Sequence, residues 1–333
     1  MITINTIDAH AAGEPLRLIV DGFPPVEGRT MLERREWVRE HHDHLRRAIV
    51  LEPRGHTDMY GALLTPPEHP GSHAGVLFMH NEGYSTMCGH GIIAVVTIAI
   101  ERGLLDVAGS GVIRLDSPAG PILARAQLGE SAGRTRVERV GFENVPSFVL
   151  HGGVPVRAGG REIRADVAFG GAFYAIVDSE AAGIPITRER LPELRKAGME
   201  ITHAIEAGRR VVHPEEPGLN GIYGTIFTGP PSGSGADLRN VTIFADAEVD
   251  RSPCGTGTCA VMAVLSAMGL LPRGQTFTHE SIIGTTFRGR VTAETAVGEH
   301  EAIVPEIEGE AYITGESRFL IDDRDPLRFG FKL

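Results

Sequence analysis

The 333-residue chain has very little lysine. Of its 32 basic residues only Lys196 and Lys332 are lysines, and the rest are arginines. A Schiff-base mechanism needs a lysine amine, and neither of these two residues belongs to a recognisable motif. The composition therefore argues against an enzyme that binds pyridoxal phosphate as a Schiff base.

The sequence also lacks an excess of positive charge and a long apolar run. Its formal net charge of -11 and pI near 5.7 argue against nucleic-acid binding. No apolar run approaches the ~20 residues of a membrane-spanning helix, and residues 1–4 lack the basic and apolar regions of a signal peptide. We therefore expect a cytoplasmic protein, monomer or homodimer, with no membrane or nucleic-acid partner.

Cysteine is scarce as well. Three cysteines in 333 residues cannot form a disulfide scaffold, so free thiols are expected. The length predicts about two domains, and 42% hydrophobic residues can fill two cores.

Two of the cysteines open segments that repeat each other. Cys88 begins a run that ends at Gly103-Leu104-Leu105, and Cys254 begins one that ends at Gly269-Leu270-Leu271. Both ends of the two segments are offset by 166 positions, so they align without a gap, and eight of their eighteen residues are identical. The chain therefore consists of two related halves.

Each repeated segment predicts a buried helix. Residues 92–100 are apolar on nearly every side, which is typical of a helix enclosed by other structure. Short strand-like runs precede and follow each helix. We therefore predict an α/β (α+β) fold of two pseudo-symmetric halves, each a curved sheet or barrel wrapped around a central helix.

Several further elements are predicted from local patterns. Helices are expected over residues 30–47 and 185–207, and strands over residues 48–51 and 75–79. Ser85 or Thr86 is expected to cap the first buried helix.

The position of the two cysteines suggests acid–base chemistry. A thiol at a helix N-terminus faces the positive end of the helix dipole, which lowers a cysteine pKa toward ~3.5–7.5. The glycines of the two motifs leave the backbone amides accessible to an anion: Gly89, Gly91, Gly255 and Gly257. A carboxylate held by both helix ends would carry its Cα between the sulfurs. One thiolate could then remove the Cα proton while the opposite thiol delivers another, which inverts the centre without a cofactor.

The motifs resemble the proline racemase family. This family includes hydroxyproline 2-epimerases and trans-3-hydroxyproline dehydratases and shares the diaminopimelate-epimerase-like fold. The resemblance runs nearly end to end and rests on residues 81–91, 250–257, 170–174, 223–225, 314–315 and 325–327.

The resemblance implies a role for each motif residue. Cys88 and Cys254 would be the acid–base pair, and His90 and Asp250 would hold the ring amine. Backbone amides of the two Cys-Gly-x-Gly loops would hold the carboxylate, with these residues as candidates: Gly89, His90, Gly255 and Thr256. Ser85 is either a helix cap or a substrate contact, and Tyr60 and Tyr174 either pack the core or line the ring pocket. No cofactor or metal is implied, and the partner is proline, 4-hydroxyproline or 3-hydroxyproline.

The resemblance also implies a discontinuous first half. It would comprise residues 1–142 with 316–333, and the second half residues 143–315, so that the C-terminal tail returns to the first half.

Two reactions remain open within the family. The second thiol, Cys254, favours a racemase or epimerase that acts on both faces of the Cα. Residues 84–87 and 325–327 resemble the dehydratase branch, which usually has threonine at the position of Cys254. A trans-3-hydroxy-L-proline dehydratase that uses Cys88 as the Cα base is therefore the alternative.

Other classes explain less of the sequence. A solute-binding module needs no pair of thiols, and a cysteine hydrolase needs only one. A zinc site formed by Cys88, His90, Cys254 and Cys259 lacks the usual ligand spacing. Cys259 lies five residues beyond Cys254 on a different helix face, so we predict that it packs in the core.

Overall fold

The computed structural model describes residues 1–107, 110–131 and 133–332. The chain divides into two units, Met1–Phe142 with Glu310–Leu333, and Glu143–Gly309. In the described residues, no helix is both long and apolar enough to cross a membrane.

Both units contain more strand than helix. They are β1 (Ile2–Ala11), β2 (Glu14–Asp21), β3 (Tyr60–Thr65), β4 (Ala74–His80), β5 (Tyr84–Ser85), β6 (Val112–Ser117), β7 (Gly120–Ser131), β8 (Arg134–Glu143), β9 (Ser147–Ala158), β10 (Arg161–Phe169), β11 (Phe173–Asp178), β12 (Ile222–Gly229), β13 (Leu238–Phe244), β14 (Glu248–Asp250), β15 (Phe277–Glu280), β16 (Thr286–Val297), β17 (His300–Gly309) and β18 (Ala311–Ile321). The α-helices are α1 (Met31–His41), α2 (Asp43–Val50), α3 (Gly89–Glu101), α4 (Ser179–Ala182), α5 (Leu191–Gly208) and α6 (Gly255–Ala267).

The first unit is a curved sheet around α3. Strand β1 pairs antiparallel with both β18 and β2, and β2 continues through parallel β3 to antiparallel β4. Strand β4 pairs parallel with β6, which pairs antiparallel with β7. Helix α3 lies against β1, β2 and β18, and all of its residues from Gly89 to Ala99 are buried.

The second unit is a closed barrel of eight strands. Pairing runs from β9 through β10, β11, β12, β13, β15 and β16 to β17, which pairs again with β9. Helix α6 lies against β9, β10 and β17, and its residues from Gly255 to Val264 are buried.

The two units repeat one topology. The parallel pairs β2–β3 and β4–β6 of the first unit correspond to the parallel pairs β11–β12 and β13–β15 of the second. Each buried helix follows a short strand, β5 before α3 and β14 before α6. The predicted pseudo-symmetric halves, each a sheet or barrel around a central helix, are confirmed.

The chain passes from the second unit back to the first near residue 310. The expected boundary between residues 315 and 316 falls inside β18, which pairs with β1 from Ala311 to Ile321 with one register shift near Ile313 and Gly315. Because a strand belongs with the sheet that it pairs with, the first unit resumes at Glu310.

Two local predictions were wrong near residue 45. The single helix expected over residues 30–47 is two helices, which are separated at His42. Ala48, Ile49 and Val50, predicted as strand, are the fully buried end of α2. A short apolar run fits a buried helix end as well as a strand, and pattern alone does not separate them.

Candidate active site

Cys88 is itself the N-cap of α3. Its backbone is extended, with φ -144°, and its Sγ accepts a hydrogen bond of 3.2 Å from the amide of Gly91. The prediction that Ser85 or Thr86 caps this helix was therefore wrong. The sulfur occupies the place that a serine or aspartate oxygen takes in an ordinary N-cap.

The glycine three residues after Cys88 is required by packing. A Cβ added at Gly91 would lie 2.8 Å from the Cys88 Sγ and 2.4 Å from Cε1 of Phe78. Any larger residue would push the sulfur away from the helix end.

An imidazole lies beside the first sulfur. The Cys88 Sγ is 3.3 Å from Nδ1 of His90, and the ring of Tyr60 packs edge-on against His90 with centroids 4.8 Å apart. The Tyr60 hydroxyl is hydrogen-bonded to Ser85, and all four side chains are buried. Imidazole can accept or donate a proton near neutral pH, so this cluster can support proton transfer at the sulfur.

Cys254 caps α6 in the same way but with a strained backbone. Its Sγ accepts a hydrogen bond of 3.3 Å from the amide of Gly257, and a Cβ added at Gly257 would lie 2.9 Å from that sulfur. Its φ is +61°, in the region that favours glycine. Strain of this kind is found at sites that the surrounding structure holds in place.

Hydroxyl groups, rather than an imidazole, surround the second sulfur. The Tyr174 hydroxyl lies 3.6 Å from the Cys254 Sγ and 2.6 Å from Oγ1 of Thr256, which itself lies 3.8 Å from the sulfur. Burial, and then the nearby Asp250 carboxylate, raise the pKa of Cys254 to about 12. The lowered pKa expected for this thiol at a helix end was therefore wrong, because burial outweighs the helix end here.

Asp250 is tied to the same loop. Its Oδ1 accepts hydrogen bonds from the amide and the hydroxyl of Ser252, at 2.8 Å and 2.7 Å. The Ser252 hydroxyl oxygen accepts in turn from the amide of Cys254 at 3.1 Å. Burial raises the pKa of Asp250 to about 6, against the lowering effect of the Ser252 hydrogen bonds.

Three further residues of the two motifs lie on the buried helices. Gly89 and Gly255 are the first residues of α3 and α6, so their amides are free of intrahelical partners by position. Cys259 is fully buried in the body of α6, and burial raises the pKa of its thiol. Among the described residues, no group of three or more His, Cys, Asp or Glu side chains could hold a metal ion.

The two candidate sites follow one pattern with different chemistry. In each, the sulfur accepts from the amide three residues on, contacts the side chain two residues on, and that side chain contacts a buried tyrosine. The second residue is His90 in one unit and Thr256 in the other, and the tyrosines are Tyr60 and Tyr174. Sequence reasoning left the tyrosines undecided, since Tyr174 and Thr256 are 82 positions apart.

Comparison with known proteins identifies the family of the chain. The family profile described as "Proline racemase" matches residues 6–332, and the chain belongs to that family. The resemblance inferred from the motifs is therefore confirmed.

Three similar proteins illustrate the range of the family. A protein of Bacillus thuringiensis subsp. konkukian named trans-3-hydroxy-L-proline dehydratase is 52% identical over 99% of this chain and 98% of its own length. A Burkholderia multivorans protein named 3-hydroxyproline 2-epimerase is 43% identical over 99% of this chain and 98% of its own length. The crystal structure of a hydroxyproline epimerase from Agrobacterium vitis with bound trans-4-hydroxy-L-proline matches with a TM-score of 0.93. It is 31% identical and covers 100% of this chain and 95% of that one. The fold class expected from the sequence is confirmed.

Proposed function

We propose that the protein removes the Cα proton of a cyclic imino acid, with Cys88 as the base, and eliminates water from trans-3-hydroxy-L-proline. The observation that carries this proposal is the Cys88 sulfur, which caps α3 beside His90. The amide of Gly91 at the helix end donates to this sulfur, which favours the thiolate that acts as the base.

The geometry of the substrate suits a single base. In trans-3-hydroxy-L-proline the hydroxyl is trans to the carboxylate, so the Cα hydrogen and the hydroxyl lie on the same ring face. Cys88 can take the Cα proton and return it to the departing hydroxide as water. A C2–C3 double bond forms as the C3–O bond breaks, and the resulting enamine tautomerises to a ring imine. The name of the 52% identical relative supports this choice of substrate.

The other candidate residues have binding roles in this proposal. Asp250 and His90 hold the ring amine, and the amides of Gly89, Gly255 and Thr256 bind the carboxylate. Ser85, which is hydrogen-bonded to Tyr60, contacts the ring of the substrate. No cofactor takes part in these steps.

Inversion at C2 is the second candidate, and Cys254 favours it. A thiol whose pKa is raised to about 12 stays protonated at neutral pH and can deliver a proton to the Cα face opposite the base. Proline or a hydroxyproline would then be racemised or epimerised. The two thiols of the sequence favoured this reaction first, and the name of the 43% identical epimerase supports it.

Proton NMR in D2O separates the two reactions. Reduced protein is incubated separately with L-proline, trans-4-hydroxy-L-proline and trans-3-hydroxy-L-proline. We expect the 3-hydroxy compound alone to be consumed, with a ring imine as product. Deuterium at Cα together with the opposite C2 configuration would establish the epimerase instead. If none of the three compounds is consumed and none exchanges its Cα hydrogen, both candidates are contradicted.

A further inference from the structure

A ring of buried polar groups surrounds the carbonyl that precedes Cys254. Asn240 of β13, Thr258 of α6 and His279 of β15 each have 0% exposure. The Asn240 Nδ2 lies 2.9 Å from the Pro253 carbonyl oxygen, and the Thr258 Oγ1 lies 3.1 Å from it. His279 lies beside the other two side chains, with Nδ1 2.9 Å from the Thr258 Oγ1. The Asn240 Nδ2 lies 2.8 Å from Nε2 and 2.9 Å from Nδ1 of the same ring.

One assignment of donors gives every member of the ring a hydrogen-bond partner. Asn240 must turn its amide nitrogen toward Pro253, because its Oδ1 would face another oxygen. One amide hydrogen goes to the Pro253 carbonyl and the other to Nε2 of His279. The Thr258 hydroxyl donates to the same carbonyl, so its oxygen accepts from Nδ1–H of His279. The ring closes only with a neutral His279, and burial lowers the pKa of this histidine to about 3.

The opposite edge of the same peptide is also held. The Cys254 amide donates to the Ser252 Oγ at 3.1 Å. The Pro253–Cys254 peptide is thus held through both its oxygen and its hydrogen, and it immediately precedes the Cys254 φ of +61°.

Cys88 has neither the positive φ of Cys254 nor a counterpart of the Thr258 hydroxyl. At the position equivalent to Thr258, 166 residues earlier, stands Ile92, which has no hydroxyl. Cys88 has an extended backbone with φ -144°. The hydroxyl of the buried ring therefore accompanies the strained cysteine and is missing beside the relaxed one.

We propose that Asn240, Thr258 and His279 are positioning residues that hold the Pro253 carbonyl and thereby keep Cys254 in its left-handed backbone conformation, with its sulfur against the Gly257 amide. The inference rests on the proposed function only in taking Cys254 as a reacting thiol.

The test compares the reactivity of two cysteines in one protein. Full-length wild type, Thr258→Val, Thr258→Ser and Thr97→Val are alkylated with iodoacetamide, and mass spectrometry gives the rates at Cys254 and Cys88. Thr97 is the matched control, because it is a buried threonine of α3 whose hydroxyl donates to the Ile93 carbonyl at 2.8 Å.

We expect the Cys254-to-Cys88 rate ratio to change more than threefold in Thr258→Val. The ratio should stay within threefold of wild type in Thr97→Val and in Thr258→Ser, which keeps the donor. A Thr258→Val ratio within threefold of wild type would overturn the proposal. Because alkylation requires no substrate, this result stands whichever reaction the protein catalyses.

A measurement on the wild type covers the case in which Thr258→Val does not fold. Long-range ¹H–¹⁵N spectra of histidine-labelled protein, with His279 assigned by its absence in His279→Gln, report the tautomer. We expect the proton on Nδ1 throughout pH 5–8. An Nε2–H tautomer, or titration of His279 in that range, would contradict the hydrogen-bonded ring.

Discussion

The hydroxyls of Tyr174 and Thr256 lie 2.6 Å apart, and both contact the sulfur of Cys254. Tyr174 is fully buried, and burial raises the pKa of its phenol, so the phenol stays protonated. The second thiol thus has neutral hydroxyl partners, whereas the first has an imidazole. The two cysteines are equivalent in backbone position but not in the chemistry around them.

Removing the Tyr174 hydroxyl should weaken C2 inversion. A neutral hydrogen bond contributes about 0.5–1.5 kcal/mol, so Tyr174→Phe should lower kcat/KM for inversion by roughly 3- to 10-fold. The matched control is Tyr223→Phe, because Tyr223 is a neighbouring tyrosine. Its ring packs edge-on against the ring of Tyr174, with centroids 5.7 Å apart. The control variant should change kcat/KM less than twofold, and equal losses in both variants would contradict a role for the Tyr174 hydroxyl.

Serine variants of the three cysteines should give three different results. In Cys88→Ser the rates of both reactions should fall by about 10²–10⁴-fold, because each reaction begins when Cys88 removes the Cα proton. Cys254→Ser should lose C2 inversion while keeping most dehydration, since elimination uses one ring face. Cys259→Ser should keep both, and the products are followed by NMR. A dehydration rate that falls equally in Cys88→Ser and Cys254→Ser would refute the one-base elimination.

Asp250 should make the protein less stable as the pH rises. Its pKa is raised from 3.8 to about 6, so the folded state binds this proton more tightly than the unfolded chain does. The stabilisation is complete below about pH 4 and is lost as the pH rises through about 6. The free energy of unfolding of Asp250→Asn minus that of wild type should therefore grow by about 2–3 kcal/mol between pH 4 and pH 7.

Urea denaturation at several pH values measures this difference. Asp322→Asn is the control, because Arg324 beside this exposed carboxylate lowers its pKa to about 2. Its titration lies below the tested range, so its difference from wild type should stay flat between pH 4 and pH 7. A flat profile for Asp250→Asn as well would show that the pKa of Asp250 is not raised.

Glycine and alanine at the two cysteine positions should reveal the backbone strain. An N-cap favours glycine over alanine at both positions, so that preference cancels when the sites are compared. The φ of +61° at Cys254 adds a penalty for alanine of about 1 kcal/mol that is absent at Cys88, where φ is -144°. Thermal unfolding of the four variants should show the larger glycine preference at residue 254. Equal preferences at both positions would mean that Cys254 is unstrained.

Much of the fold could be predicted because the repeat is local. The gapless repeat of two apolar segments predicted α3 and α6, and a helix with no polar face implied a surrounding sheet. The strand predicted over residues 48–51 was wrong because burial on all sides removes the periodicity that distinguishes a helix from a strand.

The candidate site was harder to predict beyond its two motifs. The groups within three residues of each cysteine, such as the His90 side chain and the Gly257 amide, could be placed near the sulfur from the geometry of a helix N-terminus. Tyr174 and His279 come from distant strands, and only the closure of the barrel brings them to the loop of Cys254. The raised pKa of Cys254 likewise depends on burial, which a helix-end motif does not reveal.

The late position of β18 in the chain has a consequence for synthesis on the ribosome. The second unit is one continuous segment, Glu143–Gly309, and can close its barrel as soon as β17 has emerged. The first unit must wait for Ala311–Ile321 to pair with β1, which is made before the whole of the second unit. Of the two units, the first to be started is therefore the last to finish folding, and a nascent chain that stalls before residue 311 exposes the unpaired edge of β1.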